Sequence, residues 1–112
     1  GFLVAAPLAI PLNCGTLMIR KSGKLPGKVR AHSYGLEYGT DTIEIQHDAV
    51  DAGQRVVIVD DLLATGGTMN ACCQLLESLG AIIDSCSFIV DLSFLGGAKL
   101  LAPREIHRLI TY

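Results

Sequence analysis

Arg55-Val56-Val57-Ile58-Val59 runs directly into Asp60-Asp61 and, after Leu62-Leu63-Ala64, into Thr65-Gly66-Gly67-Thr68. The unbroken β-branched apolar run predicts a strand buried on both faces, since Val and Ile pack well on a pleated surface and no polar alternation marks a wet side. Met69, Cys72, Leu76 and Leu79 then recur at helical spacing, with Gly80 placed to end the helix, so residues 68–79 read as an amphipathic helix. A buried strand, a glycine loop and a helix in that order commit the chain to an α/β architecture. In such folds ligands bind at the carboxyl ends of the strands, and that is where both acids and the glycines fall.

The remaining elements fit the same class. With 50% hydrophobic and 18% charged residues in 112, the chain has enough apolar side chain for a core, which excludes disorder. Phe2 to Leu12 reads as a buried helix interrupted at Pro7 and Pro11, and at 11 residues it falls short of the roughly 20 that span a bilayer. It has no preceding basic residue to make it a signal peptide. Gly15 to Ile19 is expected to form a short parallel strand, and residues 20–32 a mobile loop holding Arg20, Lys21, Lys24, Lys28 and Arg30. Val29 to Leu36 and Thr42 to Gln46 predict a β-hairpin with one wet face, because Ile43 and Ile45 alternate with polar residues. Ala81 to Leu92 predicts a further strand, Ser93 to Ala102 a short helical stretch, and Arg104 to Thr111 a closing strand after Pro103. Without repeats or linkers, 1–112 is expected to be a single domain built on a largely parallel sheet.

A net charge of −2 offers no global attraction to nucleic acid or an anionic membrane, so any anion site must be local. Cys14, Cys72, Cys73 and Cys86 include no C-x-x-C pair, which points to reduced, packed thiols and makes the cytoplasm the expected compartment. His32, His47 and His107 are expected at the surface or a sheet edge.

Ala64 to Thr68 can wrap an anion: glycines let the backbone approach, successive amides turn inward, the helix adds its positive end, and the Thr65 and Thr68 hydroxyls donate. There is no G-x-x-x-x-G-K-[ST], so the loop suits a monophosphate better than the phosphates of ATP. Asp60 and Asp61 repel each other and repel phosphate, which makes sense if they accept hydrogen bonds from vicinal ribose hydroxyls, with Mg2+ sharing the charge. The plainer alternative is a pair of capping acids beside an ordinary Gly-Gly turn.

Val56 to Met69 resembles the 5-phosphoribosyl-1-pyrophosphate (PRPP) signature of the type I phosphoribosyltransferases. Ile19-Arg20-Lys21-Ser22-Gly23-Lys24-Leu25-Pro26-Gly27 and Ser33-Tyr34-Gly35-Leu36-Glu37-Tyr38-Gly39 resemble the flexible catalytic loop of the adenine-specific branch of that family, and the resemblance runs from Gly1 to Tyr112. It implies a Rossmann-like, mostly parallel sheet with flanking helices and a flexible hairpin loop, and conversion of adenine and PRPP, with Mg2+, to AMP and pyrophosphate by a homodimer. By the same resemblance Asp60 and Asp61 hold the ribose and Ala64, Thr65, Gly66, Gly67 and Thr68 the 5-phosphate. Arg20 and Lys24 meet pyrophosphate, Lys24 across the dimer, while Leu62 and Leu92 flank the base and Glu37 is the general acid/base. It further implies an incomplete domain, lacking the upstream hood over the base, the first strand and a pyrophosphate loop. A noncatalytic phosphoribosyl-nucleotide-binding or oligomerisation module of the same fold is the alternative. Glu37 favours the enzyme and the absent pyrophosphate loop favours the module. Tyr34 and Tyr38 read equally well as residues that order a closed loop or as half-buried hairpin aromatics.

Overall fold

The apolar stripe that follows the glycine pair is wide enough to serve two surfaces, and the computed structural model, which describes residues 2–36 and 38–112, has it doing so. In chain order the elements are α1 (Phe2–Leu12), β1 (Arg20–Lys21), β2 (Val29–Leu36), β3 (Gly39–Gln46), β4 (Arg55–Leu63), α2 (Gly67–Ser78), β5 (Ile82–Asp91), a 3-10 turn (Ser93–Leu95), α3 (Gly97–Leu101) and β6 (Ile106–Thr111). They form one antiparallel sheet, β1-β3-β2, and one parallel sheet, β4-β5-β6. Helix α2 divides its buried side chains between the two. Ala71, Leu75 and Leu76 pack with Ile43 and Ile45 of the hairpin, Val50 and Ala81. Met69 and Cys73 pack with Leu63, Cys86, Phe88 and Leu101. Each such large apolar side chain withdrawn from water contributes about 1.5–3 kcal/mol, so α2 ties hairpin and parallel sheet into one core.

The strand, helix and hairpin expectations hold, with β4 running on to Leu63 and α2 beginning at Gly67. Gly80 ends the helix as expected, its N–H donating to the Glu77 carbonyl at 3.0 Å. Four local expectations are corrected. First, α1 is a helix despite Pro7 and Pro11 but is not buried: Leu3 is 88% and Ile10 83% exposed, because α1 is apolar all round and its main packing is against β4. Second, Gly15 to Ile19 forms no strand. The short strand is Arg20–Lys21, and it pairs antiparallel with β3, while Ile19 packs against the hairpin cluster. Third, the basic loop shrinks to residues 22–28, since the ladder partners of β3 take up both flanks. Fourth, β4 is not buried on both faces: among the described residues it pairs only with β5, and Val57 is 50% exposed.

All four cysteines are free thiols. The sulfurs of Cys73 and Cys86 lie 3.7 Å apart in the core, and burial pushes the Cys72 thiol up to about 11. Only Cys14 is exposed, so a thiol-reactive dye at neutral pH is expected to label that residue alone in the native protein and the other three only after denaturation. Rapid native labelling of Cys73 or Cys86 would contradict this packing. No helix among the described residues is long and apolar enough to cross a membrane.

Candidate phosphate and ribose site

Strand β4 delivers Asp60, Asp61, Leu62 and Leu63 to its carboxyl end, where the Leu63 carbonyl accepts the Leu92 N–H at 2.9 Å and locks the ends of β4 and β5 together. The chain then bends through Ala64 and Thr65 to Gly66, whose left-handed φ of 87° places it at the N-cap of α2. Ser, Thr, Asp and Asn ordinarily hold this position because their side chains bond the first amides. Here no side chain caps the helix and no acid occupies its first turn. The first intrahelical bond, from the Asn70 N–H to the Gly66 carbonyl at 2.8 Å, leaves the amides before it pointing out of the helix. Together with the helix dipole they make a local positive site on a chain whose net charge is negative.

The loop is pressed against the start of α3. A Cβ at Gly66 would lie 3.0 Å from the Gly97 carbonyl oxygen, and a Cβ at Gly97 would lie 2.6 Å from the Ala64 oxygen and 2.8 Å from Leu63 Cδ1. Two glycines therefore let two backbones touch.

Beside the loop, Asp60 Oδ1 accepts the backbone N–H of Asp61 at 2.9 Å. A hydrogen bond shared with Asp60 holds the Asp61 carboxyl below the usual carboxylate range. The described residues contain no cluster of three or more metal-ligating side chains.

The hairpin reaches the loop through its strand register. Tyr34 sits directly opposite Asp41, while His32 and Lys21 both pair with Ile43, so these side chains share the face that Ile43 and Ile45 turn toward α2. Lys21 forms an ion pair with Asp41 and donates to the Tyr34 hydroxyl at 3.0 Å. That hydroxyl lies 3.1 Å from Thr68 Oγ1, and His32 Nε2 lies 3.0 Å from Gln74 Oε1, giving β2 two polar ties to α2. The Lys21 hydrogen bond lowers the Asp41 pKa, and hydrogen bonds to Asp41 and Tyr34 raise that of Lys21. Both shifts favour the ionised pair: the Asp41 contribution is present at neutral pH and is lost as pH falls through its lowered value.

Of the residues singled out in the sequence, Arg20, Asp60 and Thr68 line one cleft of about 1160 Å³, together with Lys21 and Met69. Lys24, Asp61, Leu62, Ala64 to Gly67 and Leu92 lie outside its walls. Arg20 is exposed on β1 opposite Glu44, and Lys24 is exposed in the turn beyond it. Leu62 is 45% exposed, and Leu92, held by Leu63, follows the strand next to it. Glu37 lies outside the described residues. Tyr38 is 90% exposed, whereas Tyr34 is half-buried and bridges two elements. His47 and His107 are exposed as expected, and His32 instead turns to α2. Sequence reasoning missed Lys21, Asp41 and Gly97 as parts of this site. Asp41 left a signal, an acid in alternation with the core residues Ile43 and Ile45, and Gly97 left one as half of an unexplained Gly-Gly pair.

A family model for the phosphoribosyl transferase domain matches residues 1–105. The adenine phosphoribosyltransferase of Rhodospirillum centenum is 58% identical over 113 aligned residues, which take in 100% of this chain and 65% of that protein. The crystal structure of adenine phosphoribosyltransferase from Thermoanaerobacter pseudethanolicus is similar with a TM-score of 0.96 at 55% identity, across 100% of this chain and 65% of that one. The Saccharomyces cerevisiae adenine phosphoribosyltransferase, solved with D-2,5-dideoxy-2,5-imino-altritol 1,6-bisphosphate and adenine, gives a TM-score of 0.90 at 42% identity, across 96% of this chain and 61% of that one. The chain therefore spans slightly less than two thirds of the length of these relatives.

Proposed function

The chain belongs to the phosphoribosyl transferase domain family, and from that premise we propose that it serves purine salvage, transferring the 5-phosphoribosyl group of PRPP to adenine to give AMP and pyrophosphate. The observation that carries this reading is the uncapped first turn of α2 directly behind the acid pair on β4. It supplies a positive cradle for one phosphate and, a few residues away, carboxylates suited to the hydroxyls of the attached sugar. The relatives named as adenine phosphoribosyltransferases support the choice of base.

In this reaction the bond from the ribose anomeric carbon to pyrophosphate breaks and a bond to a purine ring nitrogen forms, with positive charge building on the ribose between the two events. Asp60 and Asp61 hold the ribose hydroxyls beneath that charge, and the Ala64 to Thr68 backbone anchors the 5-phosphate so that the sugar stays in place while its other end reacts. Arg20 and Lys24 meet the departing pyrophosphate, Lys24 reaching the site of a second copy in a cytoplasmic homodimer. Leu62 and Leu92 flank the base, and Glu37 takes the proton that the purine nitrogen gives up. Mg2+ binds through one or two carboxylates plus substrate phosphates rather than in an all-protein cage. Asp60 and Asp61 add negative charge near the sugar, so an ion brought in with the phosphates of PRPP fits here as its companion, with no direct protein ligand. When bound it would offset charge on the pyrophosphate.

Calorimetric titration of the chain with AMP, with ribose 5-phosphate and with adenosine tests the reading. AMP and ribose 5-phosphate are expected to bind and adenosine, which lacks the phosphate, to bind far more weakly. Asp60→Asn is expected to weaken AMP by roughly tenfold, the worth of a charge-assisted hydrogen bond. Equal affinity for AMP and adenosine would remove the phosphate loop from the account. AMP binding without synthesis of AMP from adenine and PRPP would leave the noncatalytic nucleotide-binding module in place of the enzyme.

A further inference from the structure

We propose that Tyr34 is a positioning residue for the phosphate, one that fixes the direction in which the Thr68 hydroxyl donates. This rests on the reading of Ala64 to Thr68 as a phosphate loop. The Lys21 ammonium has donors only, so at 3.0 Å the Tyr34 oxygen must accept from it. The single proton on Tyr34 then has two acceptors in range, Thr68 Oγ1 at 3.1 Å and Asp41 Oδ2 at 3.5 Å. Asp41 Oδ2 is already engaged by the Lys21 ammonium, and the Thr42 N–H occupies the other oxygen, Oδ1, at 2.8 Å. The shorter of the two contacts, to Thr68, therefore takes the proton. Thr68 is thereby made an acceptor on its hairpin side, and its own proton is left to point elsewhere. It stands in the first turn of α2, where the uncapped amides of the helix also point.

A threonine in a helix can otherwise turn its hydroxyl back onto a nearby carbonyl. The sequence Lys21 to Tyr34 to Thr68 prevents this and polarises each bond in the same sense, ending on whatever anion the amides hold. The register explains why the parts meet. Tyr34 opposite Asp41, with Lys21 one row away, puts the ammonium between a carboxylate that anchors it and a phenol that uses it. On this account Lys21, Asp41 and Tyr34 touch neither sugar nor base, and they act on phosphate only through Thr68.

The experiment is a double-mutant cycle on ribose 5-phosphate affinity, with Tyr34→Phe, Thr68→Val and the combination, each checked by thermal melting. Tyr34→Phe removes one oxygen and is expected to weaken ribose 5-phosphate binding roughly three- to tenfold. In the Thr68→Val background the same change is expected to cost nothing further, and Thr68→Ser, which keeps the hydroxyl, to restore the sensitivity to Tyr34→Phe. A Tyr34→Phe protein with wild-type affinity, or an equal loss in both backgrounds, would overturn the proposal, the latter assigning Tyr34 a merely structural part. Failure of the unmodified chain to bind ribose 5-phosphate would instead overturn the phosphate loop itself and the proposal with it.

Discussion

Gly97→Ala is expected to weaken ribose 5-phosphate binding by roughly 10- to 100-fold, although Gly97 belongs to α3 and not to the phosphate loop. The added Cβ would stand 2.6 Å from the Ala64 oxygen and 2.8 Å from Leu63 Cδ1. Leu63 is 1% exposed and has no room to retreat, so the strain falls on the loop backbone. Displacing that backbone turns at least one amide away from the anion, and a hydrogen bond to a charged group is worth about 1.5–3 kcal/mol. Overpacking of this kind also costs about 1–3 kcal/mol of stability, offset in part by the better helix propensity of alanine. Gly96→Ala is the control. Gly96 has a φ of 75°, so alanine there is strained, but its Cβ would meet nothing within 4 Å. That variant should lose stability and keep its affinity. Calorimetry and melting on both proteins separate the two effects, and a Gly97→Ala protein that binds like wild type would show that the contact between α3 and the loop is incidental.

Arg108→Ala is expected to destabilise the fold by about 3 kcal/mol in denaturant titration. Arg108 on β6 donates through Nη1 to Asp91 Oδ2 at 2.5 Å; the Asp91 side chain is 0% exposed and that of Arg108 is 42% exposed. The second carboxylate oxygen, Oδ1, is buried and has no hydrogen-bond partner among the described residues. Asp91 therefore has this guanidinium as its counter-charge, and removing it leaves a carboxylate unpaired at the seam where β5 pairs with β6. The partial exposure of Arg108 sets the estimate at the low end for a broken buried pair. Replacing both residues with leucine should recover much of the loss, since the cost lies in the unpaired charge and not in the absence of the bridge. A loss below about 1 kcal/mol in Arg108→Ala would place the pair with ordinary surface bridges instead.

The two predictions concern residues that a reading along the chain passes over, and the reason is the same in both. Gly97 and Ala64 are 33 positions apart, and Arg108 and Asp91 lie 17 apart on neighbouring strands. Nothing in either local sequence says what stands opposite. The β4 strand, the glycine turn and α2 were legible because each follows from interactions between near neighbours: β-branched crowding in Val56 to Val59, helical recurrence from Met69 to Leu79, and the helix stop at Gly80. Residues singled out for the ribose and phosphate fall in that same short stretch, which is why they could be named from it.

Misreadings arose where periodicity described an element's composition but not its neighbours. Val57 looks like a residue buried on both faces, as it would be with a strand on either side; among the described residues β4 pairs only with β5, and Val57 is 50% exposed. Gly15 to Ile19 is apolar enough for a strand, yet a strand needs a ladder partner, and β3 pairs instead with Arg20–Lys21. Tyr34 could not be told from Tyr38 by pattern. Register across β2 and β3 places Tyr34 against Asp41, its hydroxyl reaches Thr68 of α2, and Tyr38, in the turn between the two strands, is exposed. The amino-acid sequence by itself thus determined the strand, loop and helix of the proposed anion site, because backbone propensity and side-chain spacing act over a few residues. Only the tertiary structure decided which distant groups meet that loop, Tyr34 through a hydrogen bond to Thr68 and Gly97 through the absence of a side chain against Ala64, because strand order and helix packing are set by burial summed over the whole chain.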